Sequence, residues 1–153
     1  MERRIQIDEI APKGFKAMFA LEGFLNESDL SPVHKRLIKL RASQINGCAY
    51  CIDMHTTEGI ENGESPQRTY LLDGWRETDL YTDEERVILQ ITEEVTLISQ
   101  QGLSTATYNQ ALELLGESYL AQAIMAVVTI NAWNRIAIST HKPLEKRASK
   151  SLV

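Results

Sequence analysis

Residues 44–58 read Gln-Ile-Asn-Gly-Cys-Ala-Tyr-Cys-Ile-Asp-Met-His-Thr-Thr-Glu, and the rest of the chain is organised around this stretch. It holds both cysteines of the chain, spaced Cys-x-x-Cys, and a histidine four residues after the second one. If a helix begins just before the first cysteine, that cysteine falls in its first turn. Steps of three, four and three residues then place four side chains on one helix face: Cys48, Cys51, His55 and Glu58.

This face combines two thiols with an imidazole. A thiolate is the reactive form of cysteine, and both a helix N-terminus and a nearby imidazole lower a thiol pKa. Two thiols one turn apart can close a disulfide, so one sulfur can attack an oxidised substrate and the other can resolve the product. We expect Cys51 to attack because His55 is its i+4 neighbour, with Cys48 resolving and His55 moving the proton.

Other interpretations of the cysteine pair remain open. Two cysteines on one helix can be buried packing. Two cysteines and a histidine also make three zinc ligands, and His34 or His141 would be the fourth, although the chain has no second ligand pair at short spacing. Haem attachment requires a histidine directly after the second cysteine, where this chain has Ile52.

The composition restricts the class of protein. With 153 residues, of which 43% are hydrophobic, the chain is expected to form one domain over 1–153 with a core of its own. The net charge of −5 argues against a nucleic-acid partner. No stretch is apolar enough to span a membrane, and the N-terminus lacks the apolar region of a signal peptide. We therefore expect a cytoplasmic protein, in which a Cys-x-x-Cys pair is catalytic or metal-binding rather than structural.

Apolar residues recur at helical spacing along nearly all of the chain, which predicts an all-α fold. The longest strand-like stretch is 4–10, and 142–153 is predicted to be a loose polar tail. A capping box at 82–85 explains the acidic residues there as the start of a long helix, and 74–78 is predicted to be a connection. The predicted helices are 12–25, 32–45, the cysteine helix to about 63, 66–73, 82–101, 105–115 and 117–140.

The last predicted helix is apolar on nearly all sides over 121–130, which indicates burial at the centre of the domain or in a subunit interface. Within the same helix, this apolar stretch is followed by four residues that interrupt it: Asn131, Trp133, Asn134 and Arg135. These four are either hydrogen-bonded core groups with a charge at the helix end, or they line the thiol pocket or a subunit contact. His34 and His141 are predicted to lie at the surface.

Residues 40–55, Leu-Arg-Ala-Ser-Gln-Ile-Asn-Gly-Cys-Ala-Tyr-Cys-Ile-Asp-Met-His, resemble the alkylhydroperoxidase D-like, or carboxymuconolactone decarboxylase, family. Residues 75–77 and 130–135 are also similar to family segments. The resemblance implies an AhpD-like bundle of about six to eight helices, assembled as trimers or hexamers. It also implies a peroxidase in which Cys51 attacks the hydroperoxide, Cys48 resolves and His55 belongs to a proton relay. The resemblance does not imply decarboxylase activity for this chain, since family members with that activity are not expected to carry the cysteine pair.

The chain departs from the family pattern at one position of the implied relay. That pattern has a glutamate twelve residues before the first cysteine, and this chain has Arg36 there. An arginine near the thiols would favour the thiolate, but it cannot act as a base at ordinary pH. Either another carboxylate serves in the relay, with Glu58 and Glu77 as the candidates, or the relay is weaker than in the family pattern.

From these observations we expect a cytosolic antioxidant enzyme, a thiol peroxidase or disulfide oxidoreductase acting on small or organic hydroperoxides. An external dithiol, of thioredoxin or lipoyl type, would reduce the disulfide, and no flavin, haem or metal cofactor is required. The alternative is a non-catalytic redox sensor or oligomeric module in which the same disulfide changes subunit contacts.

Overall fold

The computed structural model of the chain describes residues 4–144, and within this range the fold is all-helical, as predicted. Eight α-helices and one 3₁₀ helix follow one another without a β-strand in these residues. Their bounds are α1 Ile7–Ile10, α2 Pro12–Glu27, α3 Pro32–Asn46, α4 Ala49–Glu61, α5 Pro66–Tyr70, the 3₁₀ helix Leu71–Glu77, α6 Asp83–Thr96, α7 Thr105–Leu115 and α8 Glu117–Ser139.

Three helices begin at the capping residues that the sequence predicts. The Ser31 hydroxyl accepts a hydrogen bond from the backbone N–H of His34, and proline occupies the first turn of α3. Thr82 and Glu85 form the expected capping box of α6, each side chain accepting from the other's backbone N–H at 3.2 and 2.9 Å. At the start of α7, the Ser104 hydroxyl accepts a hydrogen bond from the backbone N–H of Thr107.

Four predicted boundaries were wrong. The strand-like stretch 4–10 contains the short helix α1, and the predicted connection 74–78 mostly continues the 3₁₀ helix, with a kink at Gly74. The helix predicted over 82–101 ends at Thr96, because Ile98, which completes its apolar pattern, is 60% exposed and packs on no core. Cys48 precedes the cysteine helix as its N-cap instead of lying in the first turn. The predicted tail lies outside the described residues from 145 onward.

Helices α3, α6 and α8 pack against one another and enclose the main core. Most of the residues that meet there are fully buried. Ala123 and Ala126 allow the backbone of α8 to approach its neighbours closely, while larger side chains from α3 and α6 fill the remaining space. The cluster consists of Leu25, Leu30, Ile38, Ala42, Ile88, Ala123, Ala126, Val127 and Ile130.

The predicted burial of the last helix is confirmed on the faces turned to α3 and α6. Its remaining face is open, since Val128 is 45% exposed in the single chain. Among the described residues, no helix is long and apolar enough to cross a membrane.

The prediction that His34 lies at the surface was wrong. Its side chain is only 7% exposed, and its ring nitrogen Nδ1 lies 2.6 Å from the Tyr119 hydroxyl. The same hydroxyl accepts from the backbone N–H of Ser31, so His34 belongs to a buried polar link between the start of α3 and α8. Burial lowers the pKa of His34. His141 is half-buried just after α8.

Gly47 ends α3 in the left-handed conformation, with φ of 68°, immediately before the cysteine pair. Substitution Gly47→Ala is expected to lower the free energy of unfolding by about 1–2 kcal/mol, because a Cβ is disfavoured in this conformation. The matched change Gly23→Ala, inside α2 where a Cβ would meet no atom within 4 Å, is expected to raise it by about 0.5–1 kcal/mol. Urea denaturation measures both, and equal effects of the two substitutions would contradict this role of Gly47.

Candidate active site

The two cysteines lie side by side at the start of α4, and both are free thiols. Gly47 turns the chain away from α3, which leaves Cys48 with extended backbone angles as the N-cap and places Cys51 in the first turn of α4. Their relative exposures are 1% and 2%, and their thiols are hydrogen-bonded to each other. The structure therefore brings the predicted pair together in a water-poor position.

The pKa values of the two thiols are shifted in opposite directions. The pKa of Cys48 is lowered to about 7, chiefly because the Cys51 thiol donates a hydrogen bond to its sulfur, an effect that outweighs burial. The same hydrogen bond raises the pKa of Cys51, and burial raises it further. The first proton therefore leaves the pair more readily than it would leave a lone thiol, and the second leaves less readily. The assignment of Cys51 as the attacking sulfur stays a prediction.

A buried amide network lies beneath the thiols. Asn134 of α8 is fully buried, donates to the Ser43 hydroxyl at 3.0 Å and accepts from the Asn46 amide at 2.9 Å. The Asn134 side chain is also in hydrogen-bond range of both sulfurs, where it lowers the pKa of each. Asn46 donates in addition to Asn131 at 3.0 Å, so Asn131 supports the network one step from the cysteines.

His55 lies one turn after Cys51 on α4 and is 6% exposed. Burial is the main cause that lowers its pKa, and the nearby charge of Lys39 lowers it further. The imidazole is therefore neutral at pH 7 and able to accept a proton. Its Nδ1 lies 3.4 Å from a carboxylate oxygen of Glu58, whose side chain is 65% exposed, so this predicted partner makes only a long, solvated contact.

Cys51 and His55 both line an open cavity of about 380 Å³, whereas Cys48 does not. The wall is largely apolar, and Phe15, Phe19 and Trp133 meet there edge to face with ring centroids 5.3 to 5.6 Å apart. Trp133, one of the residues that the sequence suggested for the thiol pocket, lies in this wall. The main apolar side chains of the wall are Ile7, Phe15, Phe19, Tyr50, Met54, Ile130, Trp133 and Ile136.

The cavity wall also contains a carboxylate that the sequence did not single out. Glu22 of α2 accepts a hydrogen bond from the indole N–H of Trp133 at 2.9 Å and forms an ion pair with Lys39 at 2.9 Å. Both Glu22 and Lys39 line the cavity together with His55. The spacing of Phe15, Phe19 and Glu22 along α2 was visible in the sequence, but their meeting with a tryptophan 111 positions after Glu22 was not.

Arg36, which stands where the family pattern has glutamate, lies on the other side of His55. It forms an ion pair with Glu64 at 2.9 Å, and both line a small cleft of about 10 Å³ that His55 also borders. The Arg36 side chain packs directly on Gly59 of α4. Glu77 is exposed at the end of the 3₁₀ helix and does not line the cavity, so the structure does not bring this candidate to the thiols.

The predicted polar residues of α8 therefore divide into two groups. Asn134 contacts the thiols and Trp133 lines the cavity, whereas Asn131 and Arg135 hydrogen-bond to each other behind them. The functional neighbours that sequence reasoning missed are Glu22, Lys39, Ser43 and Asn46. Within residues 4–144, no group of three or more His, Cys, Asp or Glu side chains is placed to hold a metal ion.

Comparison with known proteins identifies similar chains. Residues 12–94 match the profile of the carboxymuconolactone decarboxylase family. The uncharacterized protein YdfG of Bacillus subtilis is 39% identical over 139 residues, which cover 91% of this chain and 95% of YdfG. The uncharacterized protein YnjA of Escherichia coli is 32% identical over 66 residues, which cover 43% of this chain and 36% of YnjA.

Two solved structures have a similar fold. One is a protein of unknown function from Agrobacterium tumefaciens, for which the name AhpD and a part in antioxidant defence have been suggested. It superposes with a TM-score of 0.91 at 36% identity and covers 95% of this chain and 100% of its own. An uncharacterized peroxidase-related protein from Silicibacter shares the fold, with a TM-score of 0.72 at 24% identity over 82% of this chain and 67% of its own.

The contact of Asn134 with both sulfurs generates a prediction. In reduced Asn134→Ala protein, the first thiol ionisation is expected to move above its wild-type position near pH 7, because an amide donor to the thiolate is lost. The ultraviolet absorbance of the thiolate, followed against pH, measures the shift. Gln122→Ala, which removes an amide of the same helix that is bonded to Asp29 and not to the cysteines, is the control and should titrate like wild type. An unshifted curve for Asn134→Ala would contradict the assignment.

Proposed function

The chain belongs to the carboxymuconolactone decarboxylase family, and we propose that it is an antioxidant thiol peroxidase that reduces organic hydroperoxides through a Cys48–Cys51 disulfide. One observation carries this proposal: of two adjacent free thiols, Cys51 lines an open, largely apolar cavity, and the buried imidazole of His55 lines the same cavity. A pair that loses one proton near pH 7 supplies a nucleophile without a cofactor.

In the first step a thiolate attacks the terminal oxygen of the hydroperoxide. Cys51 is the cysteine that lines the cavity, and we assign the attack to it, after it has given its proton to Cys48 or His55. The S–O bond forms as the O–O bond breaks, the sulfur is oxidised to a sulfenic acid, and the leaving alkoxide takes a proton to become an alcohol. Neutral His55, which also borders the cavity, is placed to transfer this proton.

In the second step Cys48 resolves the sulfenic acid. Its thiolate attacks the Cys51 sulfur, the disulfide bond forms, and the hydroxyl group leaves and takes a proton to become water. Hydroperoxide and two thiols thus become an alcohol, water and one disulfide. The lowered pKa of Cys48 suits it to this step, because it is a thiolate near neutral pH.

An external dithiol completes the cycle by returning two electrons and two protons to the disulfide. We propose a reductant of thioredoxin or lipoyl type, since such a dithiol exchanges with a disulfide through a mixed intermediate. A reducing compartment such as the cytoplasm suits this cycle.

The cavity favours organic over inorganic peroxide. Its volume is about 380 Å³, and its aromatic wall can bury the apolar substituent of an organic hydroperoxide. Hydrogen peroxide has no such substituent and gains nothing from this wall. The substituent would lie against Phe15, Phe19 and Trp133, and the peroxide group would point toward Cys51 and His55.

Turnover with cumene hydroperoxide and dithiothreitol tests the proposed function. The wild-type protein is expected to consume peroxide continuously and to prefer cumene hydroperoxide to hydrogen peroxide. Cys51→Ser is expected to abolish consumption, because the attacking sulfur is gone. Cys48→Ser is expected to lose turnover but to form one sulfenic acid, trapped by dimedone as an adduct on Cys51, because the resolving sulfur is gone.

Matched outcomes separate the proposal from its rivals. Oxidation of the wild type once, without further consumption of peroxide in excess dithiol, would identify a redox sensor instead of an enzyme. A Cys48→Ser protein as active as wild type would remove the resolving role. A dimedone adduct on Cys48 of the Cys51→Ser protein, with none on Cys51 of the Cys48→Ser protein, would reverse the two roles.

We also propose that the protein assembles as a homo-oligomer, a trimer or hexamer. The open face of α8 around Val128 and the exposed aromatic ring of Phe24 on α2 support this, because a second copy would remove their apolar surface from water. Sedimentation velocity at micromolar concentration is expected to show a species several times heavier than the 17.3 kDa chain. A monomer under these conditions would contradict the assembly.

A further inference from the structure

A charge pair in the cavity wall has no part in the thiol steps described above. Glu22 is fixed from both sides, because one carboxylate oxygen accepts from Trp133 and the other contacts the Lys39 ammonium group, each at 2.9 Å. The two side chains are only 22% and 20% exposed. An ion pair this sheltered is screened less by water than a surface pair, so its charges act on their neighbours.

His55 and Cys51 border the same cavity as this pair. Glu58 contacts the imidazole directly, but its contact is long and its side chain is mostly in water. Arg36 on the far side is neutralised by Glu64. The carboxylate and the cation that are both held in place on the cavity side of His55 are therefore Glu22 and Lys39.

We propose that Glu22 and Lys39 are opposed positioning residues that set the proton affinity of His55 for the thiol chemistry. This inference rests on the proposed function for its consequence in turnover. Glu22 favours the protonated imidazole and Lys39 disfavours it, and their mutual contact keeps both charges at fixed distances from the ring. Glu22 of α2 thereby provides a carboxylate that acts on His55, although the chain has Arg36 where the family pattern has glutamate.

The other charged groups around His55 lie on both sides of the ring. On the cavity side they are Asp8 of α1, Glu58 of α4 and Lys142 after α8, and the Cys51 thiol is one turn away. On the cleft side the ring borders Arg36, Glu64 and Arg68, which are linked to one another by ion pairs. Burial is the largest cause of the lowered pKa of His55; the charge of Lys39 lowers this pKa further, and Glu58 and Glu22 raise it.

Removing the negative charge of the pair and removing its positive charge should shift the pKa of His55 in opposite directions. Glu22→Gln keeps an oxygen that can accept from Trp133 but removes the negative charge, so Lys39 acts on His55 unopposed and the imidazole should titrate at lower pH. Lys39→Met removes the positive charge, so Glu22 acts unopposed and the imidazole should titrate at higher pH. A purely structural role of the ion pair would shift both variants in the same direction or in neither.

NMR titration of the histidine ring signals in the reduced protein tests this inference. The chain has three histidines, and a His55→Gln variant identifies the signal of His55. The expected result is a downward shift of the His55 midpoint in Glu22→Gln and an upward shift in Lys39→Met. The controls Glu27→Gln and Lys16→Met change exposed charges on α2 and should leave the midpoint in place. Equal midpoints, or shifts of the same sign, would overturn the inference.

The rate of disulfide formation with cumene hydroperoxide provides the second readout. If neutral His55 accepts a proton in this reaction, the acid limb of the pH–rate profile should move with the NMR midpoint in each variant. A wild-type protein that forms no disulfide would reject the proposed peroxidase function, while the NMR result would still decide the role of the ion pair. Opposite NMR shifts with an unmoved acid limb would overturn the consequence for turnover.

Discussion

A single buried amide, that of Asn134, ties the central helix α8 to the end of α3, where the chain turns into the cysteine pair. It donates to Ser43 and accepts from Asn46, both of α3, and it contacts both sulfurs. A buried amide that loses its partners costs about 1–3 kcal/mol, so α3 and α8 are constrained to this register. Packing of the two helices and acidity of the thiols thus depend on the same side chain.

The candidate site has two regions, one around the thiols and one at the cavity. In the first region, the hydrogen bond between the thiols and the buried amide network shift the pKa values of the two cysteines. The other region is the cavity, in which apolar rings predominate and a fixed ion pair, Glu22 with Lys39, is held at the wall. His55 lies between these regions and is neutral because it is buried. Of the two cysteines only Cys51 lines the cavity, so the two thiols differ in position as well as in pKa.

Local signals in the sequence predicted much of this structure. The caps at Ser31, Thr82 and Ser104 involve residues three positions apart, so helix starts could be read directly, as could the proximity of Cys48, Cys51 and His55. The end of α6 was missed because periodicity cannot tell whether Ile98 meets a core. The partners of Glu22 and Asn134 lie on distant helices, and the buried state of His34 depends on Tyr119. Such contacts are created by helix packing and leave no pattern of spacing in the chain.

In the proposed chemistry the two thiols form one redox unit, of which Cys51 lines the cavity. The most direct measurement is the intact mass and free-thiol count of the reduced protein before and after one equivalent of cumene hydroperoxide. The account predicts the loss of both thiols and of two hydrogens in mass, without an added oxygen, because Cys48 resolves the sulfenic acid on Cys51. Two thiols still free, with the mass unchanged, would contradict it.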